Sequence, residues 1–209
     1  SAFREGRDIH QATAAKVFGV PYEAVSPEMR RVAKTLNFGL VYGMGAAAFA
    51  RTSGLSRAKA GEFIGAYFRE FDAVEHWQEE TKRHAHARGY VETATGRRRY
   101  LQGLSSGSPR FVAEAERAAI NQPIQGTSAD ILKLAMIRVK KALAARGWWG
   151  KEARLILSIH DELLFEIADS IIEEVVPLVR HEMESAYDIG VPSKVEVGTG
   201  ADWGHLEKR

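Results

Sequence analysis

The hydrophobic period of this chain changes once, near Gly150, and that change limits the folds open to it. Before it, apolar residues recur mostly at helical spacing. Residues 8–18 read as a short helix stopped by Gly19-Val20-Pro21. Ser26-Pro27-Glu28 is a helix start, with a capping hydroxyl, a proline in the first turn and an acid suited to the dipole. That helix is expected to run to about Tyr42, where Gly43 and Gly45 end it. Residues 56–88 predict two more helices, with Phe63, Ala66, Tyr67 and Phe71, then Val74, Trp77 and Thr81, at helical spacing. Tyr90–Thr93 and Arg98–Leu101 flank Ala94-Thr95-Gly96-Arg97 as a small hairpin. Gly103–Pro109 reads as a loop, and residues 110–121 and 123–146 as two helices broken at Pro123.

After Gly150 the pattern shortens. Ala153–Ile159 and Leu163–Ile167 are β-prone runs joined by His160-Asp161-Glu162. Residues 170–187 form an amphipathic helix through Ile172, Val175, Val176, Val179 and Met183, and Val195–Gly198 is a last strand. The fold class is therefore α+β, mostly α: a helical part, then a partial antiparallel sheet with packed helices.

Composition narrows function. A chain of 209 residues makes one or two domains, with one the default, and 45% hydrophobic with 27% charged residues excludes disorder. The lack of cysteine excludes a disulfide scaffold, a Cys-ligated zinc site and a thiol nucleophile. No apolar run approaches the roughly 18 residues of a membrane span. The chain opens without an initiator Met or a signal-peptide pattern, so a cytoplasmic piece of something longer is expected. The net charge of +2 hides an asymmetry: residues 1–151 hold 24 Lys+Arg against 14 Asp+Glu, and residues 152–209 hold 5 against 13. A polyanion partner for the basic part fits this split, and so does ordinary variation along solvated helices.

On the helix that starts at Ser26, Arg30, Lys34, Phe38 and Tyr42 are spaced by four, and each step turns about 40° around the axis. They share a stripe about 18 Å long, cations at one end and aromatics at the other. Val32, Leu36 and Leu40 lie on the opposite, buried face. A nucleoside triphosphate matches the free stripe, with phosphates beside the cations and base and sugar beside the rings. An amphipathic helix with solvated basic residues has the same pattern.

Asp161 and Glu162, at the tip of an apolar hairpin, could hold Mg²⁺, a hard cation that takes oxygen ligands. Acidic residues are also common in turns. A His-Asp pair in a metal phosphohydrolase would need further His and Asp ligands on helices, whereas this pair lies between strands.

Three stretches together resemble the family A DNA polymerases. Arg30-Arg31-Val-Ala-Lys34-Thr-Leu-Asn37-Phe38-Gly39-Leu-Val-Tyr42-Gly43 resembles the family's fingers "O helix". Ser158-Ile-His160-Asp161-Glu162 resembles its palm hairpin, and Glu116-Arg117-Ala-Ala-Ile-Asn121-Gln122-Pro123-Ile-Gln125-Gly126-Thr-Ser-Ala-Asp130 the motif segment between them. Asp8-Ile9-His10, Thr95-Gly96-Arg97-Arg98-Arg99-Tyr100 and Val195-Glu196-Val197-Gly198 fit in the family's order. The likeness covers essentially the whole chain, and the only two asparagines, Asn37 and Asn121, both lie in these motifs.

The resemblance implies fingers over residues 1–90 and the carboxy-terminal part of the palm over 91–209. It implies that Arg30 and Lys34 grip the incoming deoxynucleoside triphosphate, with His10 assisting, and that Lys34 can protonate the pyrophosphate leaving group. Phe38 would stack near sugar and base, where Phe rather than Tyr goes with discrimination against dideoxynucleotides. Tyr42 would sit by the nascent pair. Arg117, Asn121 and Gln125 would contact primer–template DNA, with His160 by the primer terminus and Arg97, Arg98 and Arg99 on the backbone. Asp161 would bind catalytic Mg²⁺, one of two ions in the complete site, and Glu162 would be a nearby carboxylate of secondary importance. The implied activity is template-directed addition of deoxynucleotides to a primer 3′-hydroxyl, in replication and repair, near the nucleoid.

The family's first palm motif, with its other metal-bridging aspartate, lies upstream of Asp-Ile-His, and this sequence does not contain it. Asp8 is no substitute, because it matches the later motif itself. The thumb and exonuclease parts are also missing, so the rest of the polymerase is an expected partner and the isolated chain is expected not to polymerise DNA. Without the strand that the first motif supplies, the Asp161 hairpin would expose a sheet edge near Leu155, Leu157, Leu163 and Phe165. Two other readings stand beside this one: a non-catalytic nucleic-acid-binding fragment, and a relative of the single-subunit phage-type RNA polymerases, which share the Arg/Lys/Tyr-Gly helix pattern. Asn37-Phe38-Gly39 and His-Asp-Glu match the DNA enzymes better. Few asparagines and no cysteine lean towards a thermophile.

Overall fold

A computed structural model describes residues 5–209; the first four residues of the opening stretch lie outside them. Two compact units divide at Thr127/Ser128.

The first unit begins with α1 (Ile9–Phe18), capped by Asp8, whose Oδ1 accepts from the His10 and Gln11 amides, and ended by Gly19 at φ 68°. α2 (Pro27–Val41) starts as its sequence requires, with the Ser26 hydroxyl accepting from Met29 N. Val32, Leu36 and Leu40 are buried, as their spacing predicts. They join Val17, Phe49, Ala60, Phe63 and Tyr67 in one core beneath α2. Burying each large side chain there stabilises by about 1.5–3 kcal/mol. Phe49 belongs to α3 (Ala46–Ser53), a helix that the sequence reading left out. Its signals are local: four alanines between Gly45 and a left-handed Gly54. Phe49 is fully buried, so this short helix carries a principal core residue.

α4 (Arg57–Glu70) and α5 (Asp72–Arg88) follow as expected. β1 (Tyr90–Glu92) and β2 (Arg98–Tyr100) pair antiparallel, Tyr90 opposite Tyr100. A second core of Ala85, Val91, Leu101, Leu104, Ala115 and Ala119 joins α5 and this hairpin to the next helix.

That helix corrects an expectation. Instead of two helices broken at Pro123, α6 runs unbroken from Pro109 to Ala145. Pro123 has no N–H for the Ala119 carbonyl, which costs about 3 kcal/mol in a helix interior. The flanks are tied to the β1–β2 hairpin. Thr127 Oγ1 donates to the Pro123 carbonyl and accepts from Ala94 N, and buried Gly126 lets the hairpin end approach.

In the second unit β3 (Ala153–Ile159) and β4 (Glu162–Ile167) form a two-stranded antiparallel sheet. Glu162 pairs with Ile159, so the connection is only His160-Asp161, and Glu162 is a strand residue rather than part of the turn. The tight turn places His160 at φ 52°, in the left-handed region. Val139, Leu143, Ala153 and Val175 form the core of this unit, with α7 (Ile172–Glu184) supplying Val175. The other side of the hairpin is poorly covered, with Ile156 53% and Leu157 43% exposed.

The last strand also differs from expectation. Pairing begins at β5 (Gly198–Thr199), against β6 (Glu207–Lys208), which the sequence reading did not include. Val195 is not in a ladder because its N–H donates to Glu184 Oε1. No helix among the described residues is long and apolar enough to cross a membrane.

Candidate triphosphate and nucleic-acid site

On α2 the residues opposite the core face outwards. Arg30, Lys34 and Phe38 are exposed, and Tyr42 is half-buried at the helix end. Lys34 Nζ lies 6.0 Å from the Phe38 ring centroid, which joins the cationic and aromatic halves of the stripe. Phe38 is 52% exposed, a large apolar surface left open on a helix whose other face is fully packed.

α1 brings His10 to this stripe. Its ring centroid lies 5.6 Å from that of Phe38, and Nδ1 accepts from Asn37 Nδ2 at 3.0 Å. Burial lowers the His10 pKa; Asp8 opposes this, while Arg30 and Lys34 add to it, so the ring is biased towards neutrality. Arg30 is held by Asp8 through Nε at 2.8 Å and Nη2 at 2.7 Å. Burial alone would raise the Asp8 carboxyl, but bonds from Arg30 and from the Gln11 and His10 amides outweigh it and hold it below its ordinary value.

Beside the carboxyl end of α2, a Cβ built on Gly43 would lie 3.5 Å from Arg117 Cγ, so Arg117 of α6 lies close to that end. Arg117 and Gln125 are exposed, and Asn121 between them is half-buried. Asn121 Oδ1 is buried with no hydrogen-bond partner among the described residues. On the hairpin, Arg97 Nη2 donates to the Gly126 carbonyl and Arg98 Nε to Glu92 Oε1, with the Arg98 guanidinium 4.7 Å from the Tyr90 ring centroid. Arg99 Nη1 donates to Gln122 Oε1.

In the second unit His160, Asp161 and Glu162 are all exposed at the β3–β4 tip. Asp161 and Glu162 are among the residues lining a cleft of about 680 Å³ whose apolar walls include Leu164, Phe165, Val176 and Val197. No group of three or more metal-ligating side chains occurs among the described residues.

The sequence matches the family model of DNA polymerase family A over residues 1–205. The chain belongs to DNA polymerase family A. Among its relatives in this family, the thermostable DNA polymerase I of Thermus thermophilus is 47% identical over 96% of this chain and 24% of that protein. DNA polymerase I of Pseudomonas aeruginosa is 45% identical over 97% of this chain and 22% of that one. The chain therefore spans about a quarter of the length of such family A relatives. A solved structure, the polymerase domain of Pol1 from M. smegmatis in complex with DNA primer-template and dNTP, superposes with a TM-score of 0.85 at 40% identity. It covers 91% of this chain, which accounts for 33% of that one.

Several residues that build this geometry are not singled out by the sequence alone. Asp8 was legible as a motif residue, but not as the partner of Arg30. Thr13 and Gln78 carried no pattern: each is a buried polar residue on a helix, identified only by what it bonds. Asn37 was legible as a motif residue and as one of two asparagines in the chain, but not as the link between Thr13 and His10.

Proposed function

We propose that residues 1–209 are the fingers and part of the palm of a template-directed DNA polymerase. In this reading the division falls near residue 90, and the activity is addition of deoxynucleotides to a primer 3′-hydroxyl. The observation that carries it is the outward face of α2: Arg30, Lys34 and Phe38 stand free of the core, and His10 of α1 lies beside Phe38.

On this reading Arg30 and Lys34 hold the phosphates of a deoxynucleoside triphosphate and offset the charge that builds on the leaving group. Lys34 also delivers a proton to the pyrophosphate. Phe38 stacks near sugar and base, and Tyr42 sits by the nascent pair. Arg117, Asn121 and Gln125 contact primer–template DNA, and the orphaned Asn121 carbonyl oxygen suits a donor from a base edge. Arg97 and Arg98 approach the backbone, and His160 lies by the primer terminus.

The donor chemistry at Asp161, an exposed carboxylate with Glu162 beside it, suits Mg²⁺. Bound Mg²⁺ would supply Lewis-acid stabilisation of the attacking and leaving oxygens in a two-ion site. We propose that residues 1–209, which span about a quarter of the length of the family A relatives, do not extend a primer alone, and that the rest of the polymerase is their partner.

Mixing this chain with a separately made amino-terminal part of such a polymerase tests the reading. Mg²⁺-dependent extension of a DNA primer by deoxynucleotides is expected from the mixture, and from neither part alone. Asp161→Asn in the mixture should abolish extension while leaving primer–template binding. DNA binding with no extension favours a non-catalytic module, and a preference for ribonucleotides favours an RNA polymerase relative.

A further inference from the structure

Asn37 lies between Phe38 and Leu36, where α2 turns from its free face to its buried one, and it closes a chain of three side chains. Thr13 Oγ1, 1% exposed on α1, donates to Asn37 Oδ1 at 3.1 Å. Asn37 Nδ2 then donates to His10 Nδ1 at 3.0 Å. In this amide orientation Asn37 Nδ2 donates, so the His10 Nδ1 that it meets is the acceptor, which places the ring proton on Nε2.

We propose that Asn37 is a positioning residue for His10: anchored by Thr13, its amide holds the imidazole as the Nε2–H tautomer, a neutral hydrogen-bond donor for triphosphate oxygens. The phosphate part rests on the triphosphate reading of α2 given above; the tautomer does not. Its physical sense lies in the neighbours. The groups acting on His10 are Asp8 from the start of α1 and Arg30 and Lys34 from α2, with the Phe38 ring packed beside it. Next to two cations a third charge would be repelled. A neutral N–H donates to phosphate without that repulsion, provided that the ring cannot turn its bare nitrogen outwards. Bonding Nδ1 to an amide that is itself held by a buried hydroxyl supplies this constraint.

The test is nitrogen NMR on the whole 209-residue chain with ¹⁵N-labelled histidine, the His10 signals being assigned with His10→Gln among seven histidines. Near neutral pH, without nucleotide, His10 Nδ1 should appear unprotonated and Nε2 protonated. Asn37→Asp presents only acceptor oxygens and should move the proton to Nδ1 or charge the ring, raising its titration midpoint. Thr13→Val, which keeps the shape and removes the anchor, should give a mixture of tautomers. Where Asn37→Asp does not fold, as judged by circular dichroism, Thr13→Val and Asn37→Ser carry the same readout. A wild-type ring protonated at Nδ1, or tautomers that the folded variants leave unchanged, would overturn the proposal.

Adding inorganic tripolyphosphate tests the phosphate part separately. The Nε2–H signal should shift, and Asn37→Ala should weaken binding roughly tenfold, the scale of one charge-assisted hydrogen bond. In a His10→Gln background, Asn37→Ala should cost almost nothing. An Nε2–H signal that tripolyphosphate leaves unmoved, with the expected tautomer intact, would overturn the placement of His10 at the triphosphate and leave the Asn37 anchor standing.

Discussion

One carboxylate, that of Asp8, does two jobs: its Oδ1 caps α1 through the His10 and Gln11 amides, and its Oδ2 holds Arg30 of α2 at 2.7–2.8 Å. The cation proposed for the incoming phosphates is thus tied to the helix that carries His10.

Asp8→Asn separates the two jobs, because asparagine still caps a helix but cannot pair with a guanidinium. The pair is partly solvated, so its loss should cost less than about 1 kcal/mol at neutral pH. The folded Asp8 carboxyl lies below its ordinary value of 3.8. Its contribution is therefore present above that value and is lost as pH falls through the lower folded pKa. Urea unfolding of both proteins at pH 7 and near pH 3 should show the difference shrinking in acid. A constant difference would mean that the neutral capping contacts to the His10 and Gln11 amides carry the effect.

The two faces of α2 should respond in opposite ways. Leu36 is fully buried, and Leu36→Ala should destabilise by about 2–5 kcal/mol. Phe38→Ala, on the open face, should change stability by no more than about 0.5 kcal/mol. It should instead weaken triphosphate binding. Denaturant midpoints and isothermal titration with a deoxynucleoside triphosphate would separate the two outcomes.

Gln78 of α5 is 6% exposed, and its Nε2 donates to the Leu40 carbonyl at 2.6 Å, in the last turn of α2. Gln78→Leu keeps the bulk and removes the side-chain donor, leaving the Leu40 carbonyl with the Gly43 N–H, at a cost of about 0.5–1.5 kcal/mol. Hydrogen exchange should show faster opening of the segment around Tyr42 and Gly43. Unchanged exchange there would rule out a clamp at this end of α2.

Gly126 has no room for a methyl group: a Cβ would lie 2.5 Å from Gln122 Nε2 and 2.6 Å from Thr93 Cγ2. Gly126→Ala should destabilise by about 1–3 kcal/mol although alanine is the better helix former. Truncating the neighbour, as Thr93→Ser, should recover part of the loss in thermal melts. A stabilised Gly126→Ala protein would show that the hairpin can give way.

Much of the fold was legible because its signals are local. Ser26-Pro27 starts α2, Val32, Leu36 and Leu40 mark its core, and Tyr90 and Tyr100 sit in a short hairpin. The failures have separate causes. At Pro123 a local breaker met longer-range anchors at Thr127 and Gly126. At Val195 a β-prone run gave its first N–H to a glutamate instead of a strand. At Ala46–Ser53 the alanine-rich helix lacked a wide apolar stripe, although Phe49 fills the core.

By itself the sequence determined the family, the α+β order of elements and the composition of the α2 stripe. These follow from residue type and spacing along one segment, which helix and strand periods convert directly into faces. Only the tertiary structure decided that Asp8 holds Arg30, that Asn37 joins Thr13 to His10, and that Gln78 holds the end of α2. Each of these links residues more than 20 positions apart on different helices, so it depends on how the helices pack and not on any period within them.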